Sequence, residues 1–287
     1  AAAVAYGLHE RKEGTFLILD MGGGTFDVSI LEFFEGVMEV HASAGDNFLG
    51  GEDFVDAMAQ QVLSELDIDK SSLSSSTLQT LYMQLETIKR RINQTPSHTL
   101  SFESNGNPYE LSITTEWFQK VITPLLLRAK RPIEAAMRDA QLPAKDIDDV
   151  VLVGGSTRLS AFRSTVGKMF GRLPSCHLDP DTVVAMGAAI QAGLKSKDAA
   201  LEDMVLTDVC PYTLGTNVVN EESPEQGAYF FPIIERNTVV PASIVKRLFT
   251  AADNQTQISV GIYQGENRYV DKNVPLGEIV IDIPKGP

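Results

Sequence analysis

Residues 16–31 read Phe16-Leu17-Ile18-Leu19-Asp20-Met21-Gly22-Gly23-Gly24-Thr25-Phe26-Asp27-Val28-Ser29-Ile30-Leu31. An apolar run ends in an aspartate, a glycine triplet follows, and a second strand-like run begins at once. This pattern predicts two strands joined by a glycine turn. Glycine has no Cβ, so its backbone N–H can approach an anion closely. The Thr25 hydroxyl and the carboxylates of Asp20 and Asp27 sit at the same turn, a set that suits a phosphate with its Mg²⁺. The ordinary alternative is a plain hairpin, which the glycines alone would favour. No Gly-Lys-Ser/Thr ending makes this a P-loop, and no G-x-G-x-x-G opens a helix here. A phosphate-binding β-hairpin is what remains.

Outward from that turn, residues 15–43 read as three short strands with turns at 21–25 and 35–36. Gly50-Gly51-Glu52-Asp53 is a second glycine turn, leading into a helix over 53–66. Past a serine-rich loop at 71–76, Thr77 is the expected N-cap of a helix whose Leu78, Leu81, Leu85, Ile88 and Ile92 form one apolar stripe. Residues 98–103 and 108–113 read as a hairpin across Asn105-Gly106. A long helix is expected from about 115 to 140, capped by Thr114 or Thr115 and kinked or divided by Pro124 and Pro132. Val150 to Val153 is a short buried strand delivering Gly154-Gly155-Ser156-Thr157-Arg158, followed by helices over 159–170 and 181–194. Beyond 195–208 the chain turns β-like: 209–219, 228–234, 244–250, 257–263 and 278–283. The expected fold class is therefore α/β followed by an all-β segment, with a boundary near 196–208.

The chain has 287 residues, 43% hydrophobic content and a formal net charge of −14. That content supports a real core, and the charge disfavours a nucleic-acid or anionic-membrane partner. The two cysteines, Cys176 and Cys210, show no metal-ligand spacing and fit a reducing cytosol. No apolar run approaches the ~20 residues of a membrane helix. Residues 1–7 read like the tail of a helix and 281–284 like an interrupted strand, so an excised piece of a longer protein is expected.

Three further constellations carry chemistry. Gly50-Gly51 is either a tight structural turn or a backbone approach to ribose or phosphate at a helix N-terminus. Glu86, Lys89, Arg90 and Asn93 share one helix face, ~100° from the apolar stripe. That face is either merely solvated or a surface for a purine, with Lys89 and Arg90 along the base and Glu86 and Asn93 bonding to ribose or base. Gly154, Gly155, Ser156 and Arg158 lie at the carboxyl end of a strand, where α/β layers gather ligands. Asp181 reads as an N-cap, with a ribose contact as the sharper option.

The phrases LDMGGGTFD, AGDNFLGGEDF, DDVVLVGGSTR and DPDTVVAMGAAIQAG, in this order, resemble the nucleotide-binding domain of DnaK-type heat-shock chaperones. MVLTDVCPYTLG resembles that family's interdomain linker, and FPIIERNTVVP, FTAADNQTQISV and YQGEN its substrate-binding β domain. HASAGDNFLGGEDF and LTDVCPYTLG look most like the bacterial HscC branch. The resemblance implies an actin-like ATPase lobe, the second of two, over residues 1–195, a linker over 196–208 and a partial β-sandwich over 209–287. It implies ATP or ADP with Mg²⁺ as cofactors. Asp20 would join the Mg²⁺ and catalytic-water network through water, and Gly22, Gly23, Gly24 and Thr25 would hold the β/γ-phosphates. Gly51 and Glu52 would lie near ribose. Glu86, Lys89, Arg90 and Asn93, with Gly154, Gly155, Ser156, Arg158 and Asp181, would frame the adenosine. Asn93 stands where the family usually has serine.

The resemblance further implies that the family's first phosphate loop, catalytic lysine and first-lobe carboxylates precede residue 1, so no ATPase activity is expected of this piece alone. Val218, Val219, Phe249, Ile258 and Val260 would contribute to a cleft for unfolded or extended apolar peptides, ordinary β-core packing being the alternative. The expected partners are such peptides, a J-domain co-chaperone and an exchange factor, with self-association through exposed β edges. Two other readings stay open. One is an actin-like relative such as a sugar kinase or filament protein, which would lack a segment like 204–287. The other is a non-catalytic docking fragment.

Overall fold

A computed structural model describes residues 5, 13–35, 37–104, 106–176, 179–197, 205–218, 228–250 and 253–286. The chain divides into two compact units, one of residues 1–38 and 44–205 and one of residues 39–43 and 206–287.

In the first unit, β1 (Gly14–Met21) pairs antiparallel with β2 (Phe26–Phe34), placing Asp20 opposite Asp27 and Met21 opposite Phe26. After β3 (Val37–Asp46) come α1 (Gly51–Glu65), α2 (Ser75–Arg91), the β4 (Ser97–Ser104) and β5 (Asn107–Thr114) hairpin, and α3 (Thr115–Asp139). Then β6 (Asp149–Val153), α4 (Ser160–Phe170) and α5 (Val183–Lys195) follow. Within this unit the order β2-β1-β6 makes a mixed sheet, because β6 runs parallel to β1 while β2 runs antiparallel to it. Phe16 to Leu19 and Val150 to Val153 are all buried, as expected for strands covered on both faces. Helices supply the cover, with Phe54, Leu85, Phe118 and Phe162 in one core with Leu17, Leu19 and Phe26.

The stripe on α2 faces that core as its spacing predicts, Leu81, Leu85, Ile88 and Ile92 being buried and Leu78 half-buried against it. Its cap differs from the expectation. Ser74, not Thr77, is the N-cap, and its hydroxyl accepts from the Thr77 N–H at 3.1 Å. Thr114 caps α3 by accepting from the Trp117 N–H at 3.1 Å. Pro124 and Pro132 do not divide that helix. Phe118, Ile122, Leu126, Ala129, Ile133 and Ala136 bury one continuous stripe across both prolines, which offsets the lost backbone bonds. Asp181 is also not a cap: Thr182 holds that position before α5.

The second unit holds β7 (Val205–Val209), β8 (Leu214–Val218), β9 (Tyr229–Ile234), β10 (Val239–Val240), β11 (Gln257–Gln264) and β12 (Val274–Asp282). Its antiparallel sheet has the order β12-β11-β8-β9, and β7 pairs with the short β10. The predicted run 209–219 breaks into β7 and β8 around Cys210–Thr213, where Pro211 has no N–H to give a ladder. Residues 244–250, predicted as a strand, are irregular and form no strand. Val245 and Phe249 there are 88% and 93% exposed.

Candidate functional site: a glycine-edged cleft in the first unit

Gly22 N–H donates to the Thr25 carbonyl at 3.0 Å and closes the β1–β2 turn. The turn is then fastened to the start of α1 by backbone alone: Gly51 N–H donates to Gly22 O at 2.9 Å and Glu52 N–H to Gly23 O at 2.7 Å. Such an approach leaves no room at Gly50, where a Cβ would lie 2.4 Å from Gly23 O and 2.5 Å from Gly24 N. Gly154 is fixed twice, by φ +84° and by Met21 O, 2.4 Å from any Cβ built there. The β6 loop joins the same cluster through Ser156 Oγ, which donates to Gly22 O at 2.8 Å.

Gly23 and Gly24 are different. Neither has a positive φ, and a Cβ on either would meet nothing within 4 Å. Neither packing nor backbone conformation therefore requires glycine at these two positions.

A cleft of about 760 Å³ opens at this cluster. Gly22, Gly23, Gly51, Glu52, Glu86, Lys89, Arg90, Asn93, Gly155, Ser156, Arg158 and Asp181 all line it, so segments spread from residue 22 to 181 meet on one surface. Asp20, Gly24, Thr25 and Gly154 are not in its lining; Asp20 Oδ1 lies 2.6 Å from the position of a Gly154 Cβ, just behind the turn. Val55, Asp56, Tyr82, Met83 and Leu159 also line the cleft and were missed by sequence reasoning. Tyr82 and Met83 sit four and three residues before Glu86, so extending the polar face by one helical turn would have found them.

Lys89 is buried, 7% exposed. Its Nζ donates to Gly51 O at 2.7 Å and pairs with Glu86 at 2.6 Å, tying α2 to the first turn of α1. Burial alone would push the Glu86 carboxyl up, but hydrogen bonds from Lys89 and Arg90 outweigh it and hold the group below its ordinary value. Asn93 spends its amide within the protein, donating to Arg158 O at 2.9 Å and accepting from Ser160 Oγ at 2.7 Å. Arg158 reaches Asp181 Oδ2 at 2.9 Å, which gives Asp181 a partner across the cleft in place of the capping role.

Asp20 and Asp27 face each other on paired strands. Burial first, and the neighbouring Asp27 charge second, push the Asp20 carboxyl above its ordinary value of 3.8. Burial also raises Asp27, against a hydrogen bond from the Thr25 hydroxyl that lowers it. A raised carboxyl binds its proton more tightly in the folded chain, so stability is lost as pH rises from near 3.8 through the raised value. Asp20→Asn should therefore stabilise the metal-free chain at pH 7 and lose that advantage near pH 3. Urea midpoints of both proteins at the two pH values check it; an equal advantage at both would count against charge as the cause.

Among the described residues no group of three or more His, Cys, Asp or Glu could hold a metal alone. Two carboxylates beside a bare glycine turn do fit a cation that brings a phosphate and waters with it, the usual habit of Mg²⁺.

Of the proposed peptide residues, Val218, Ile258 and Val260 are half-buried on β8 and β11. Phe249 lies in the irregular segment, and Val219 lies outside the described residues. Among the described residues no helix is long and apolar enough to cross a membrane, and Cys176 and Cys210 are free.

The family model for Hsp70 protein matches residues 1–286. The chain is 38% identical over 294 residues to a chaperone protein DnaK of Deinococcus deserti, covering 98% of this chain and 46% of that protein. It is 37% identical over 300 residues to the mitochondrial heat shock 70 kDa protein of Pisum sativum, covering 100% of this chain and 42% of that one. It is 39% identical over 298 residues to the stromal 70 kDa heat shock-related protein of Pisum sativum chloroplasts, covering 100% of this chain and 41% of that one. The chain thus spans less than half the length of these relatives. Because the family match runs through residues 204–286 as well as the cleft, the sugar-kinase and filament readings fall away. The chain belongs to the Hsp70 family.

Proposed function

We propose that the cleft of the first unit is one wall of an ATP/ADP site, in the second lobe of an actin-like nucleotide-binding domain. The observation that carries this reading is the convergence of five sequence-separated segments on one cleft whose turn presents bare glycine backbone. Gly22, Gly23, Gly24 and Thr25 would hold the β/γ-phosphates, and Asp20 would hold Mg²⁺ through water. The metal's role when bound is to neutralise phosphate charge. Gly51 and Glu52 would lie near the ribose, and Glu86 and Lys89 would help frame the adenosine. Arg90, Asn93, Gly154, Gly155, Ser156, Arg158 and Asp181 would frame the base, with the Arg158 guanidinium stacking on it.

In this reading residues 1–195 form the lobe, 196–208 the linker, and 209–287 part of a peptide-binding β-sandwich. Nucleotide state biases that β unit between loose and tight binding of extended apolar peptides at Val218, Val219, Phe249, Ile258 and Val260. A J-domain co-chaperone and an exchange factor would act on the cycle, and the phrases at 41–54 and 206–215 favour the HscC branch. Every residue of β12 is exposed, Leu276, Ile279, Val280 and Ile281 included, which supports pairing of that edge with another chain.

All proposed nucleotide contacts come from residues 20–181, on one side of the phosphates. Phosphoryl transfer needs positioning from both sides. The 287-residue polypeptide alone is therefore expected to bind nucleotide weakly and not to turn it over. Titration with a fluorescent ADP, with and without Mg²⁺, tests this. Saturable, Mg²⁺-dependent binding that weakens about tenfold in Arg158→Ala, or ~1.4 kcal/mol, is expected. Absence of saturable binding would overturn the site, and steady ATP turnover abolished by Asp20→Asn would overturn the half-site reading.

A further inference from the structure

A second groove, of about 450 Å³, lies between α2 and β4 and has no part in the nucleotide reading. Its floor is a strand edge. In the β4–β5 hairpin Ser104 pairs with Asn107 across the tight turn, so Leu100 and Phe102 exchange hydrogen bonds with β5 while Thr99 and Ser101 point their N–H and C=O outward. Pro108, opposite Glu103 and without an N–H, fits that alternation.

The outward groups of Ser101 are already matched by a side-chain amide. Gln84 Nε2 donates to Ser101 O at 2.8 Å, and Ser101 N–H donates to Gln84 Oε1 at 3.3 Å. A carboxamide that both donates to and accepts from one edge residue does what the peptide group of a neighbouring strand does. It occupies the β4 edge at Ser101. Two residues along, Thr99 lies in the groove, exposed, and among the described residues its N–H and C=O have no partner.

At one end of the groove stands Arg91. Among the described residues no carboxylate pairs with its guanidinium, and its backbone carbonyl meets the His98 ring at 3.2 Å. No acidic side chain lines the groove, in a chain whose net charge is −14. Between Gln84 and Arg91 the wall from α2 is Thr87 and Ile88, and Thr80 and Met83 continue it on the far side of Gln84.

We propose that this groove binds an extended polypeptide segment bearing a carboxylate, by adding it as a strand to the β4 edge at Thr99 with the carboxylate against Arg91. Strand addition gives affinity through backbone bonds, and the charge fixes direction. From Ser97 to Ser101 the edge has room for about four residues at ~3.3 Å each. The site is separate from the peptide residues proposed on β8 and β11.

The probe is acetyl-Thr-Val-Thr-Val with a free C-terminal carboxylate, beside its C-terminal amide, added to the 287-residue chain. Backbone amide shifts from Ser97 to Ser101 are the readout, with hydrogen exchange at Thr99 followed in the parent chain. The carboxylate peptide is expected to shift Thr99 saturably and slow its exchange, and the amide to bind at least tenfold more weakly. Thr99→Pro removes the outward N–H and leaves the β5 ladder intact; scored at the Leu100 and Ser101 amides it should abolish binding while ADP titration is unchanged, and Arg91→Glu should weaken binding at least tenfold without touching the strand. Shifts confined to residues 205–286, binding indifferent to both variants, or a Thr99 shift that grows with protein concentration in the absence of peptide would each overturn the proposal, the last by making a second copy the occupant.

Discussion

Gly50→Ala is expected to cost about 3 kcal/mol of stability and to abolish nucleotide binding. The new methyl would sit 2.4 Å from the Gly23 carbonyl oxygen and 2.5 Å from its carbon, both backbone atoms that no rotamer change can move aside. Relief requires the turn and the α1 N-terminus to separate, which breaks the bonds from Gly51 and Glu52 to that turn. Gly23→Ala is the informative partner. Its Cβ meets nothing within 4 Å, so stability should stay within about 0.5 kcal/mol of the parent while ADP affinity falls. Urea unfolding and ADP titration on the pair separate a glycine needed by the fold from one needed by the ligand. Equal destabilisation by both would refute the distinction.

Phe162→Ala should destabilise by about 3–5 kcal/mol, the usual range for emptying a buried aromatic site. Phe162 and Phe26 are 1% and 0% exposed, and their rings meet edge to face at 5.8 Å between centroids. Phe26 directly follows the glycine turn, and Phe162 lies in the first turn of the helix after Gly154–Arg158. The pair therefore fixes two of the cleft's loops to one another from below. Phe162→Leu, which keeps most of the volume, should cost under about 1.5 kcal/mol. A thermal or urea series over the three proteins checks both values; a small loss in the alanine variant would mean the site collapses around the gap.

The β1–β2 hairpin and the α2 stripe could be read from sequence because their signals are local, set by glycine placement and by period. The cleft was legible only as separate phrases. That Gly50 is demanded by Gly23, and Gly51 by Ser156 and Lys89, depends on contacts across long sequence separations that no window contains. The failures have the same origin. Asp181 looked like a cap because it precedes a helix, yet Arg158, a distant partner, holds it. Residues 244–250 have strand-like residues, but a strand exists only where another pairs with it, and this segment forms none. Pro124 and Pro132 looked like helix ends because the burial that carries α3 through them is tertiary.

The joints among the β1–β2 turn, the α1 N-terminus and the β6 loop are made largely of main chain: Gly22 to Gly51, Gly23 to Glu52, Gly154 against Met21. Side-chain chemistry can drift around such a joint, but the loops cannot be exchanged one at a time. Transplanting this cleft onto another scaffold would mean moving all three loops as a single rigid insert. In an evolving lineage, their glycines should be inherited together or lost together.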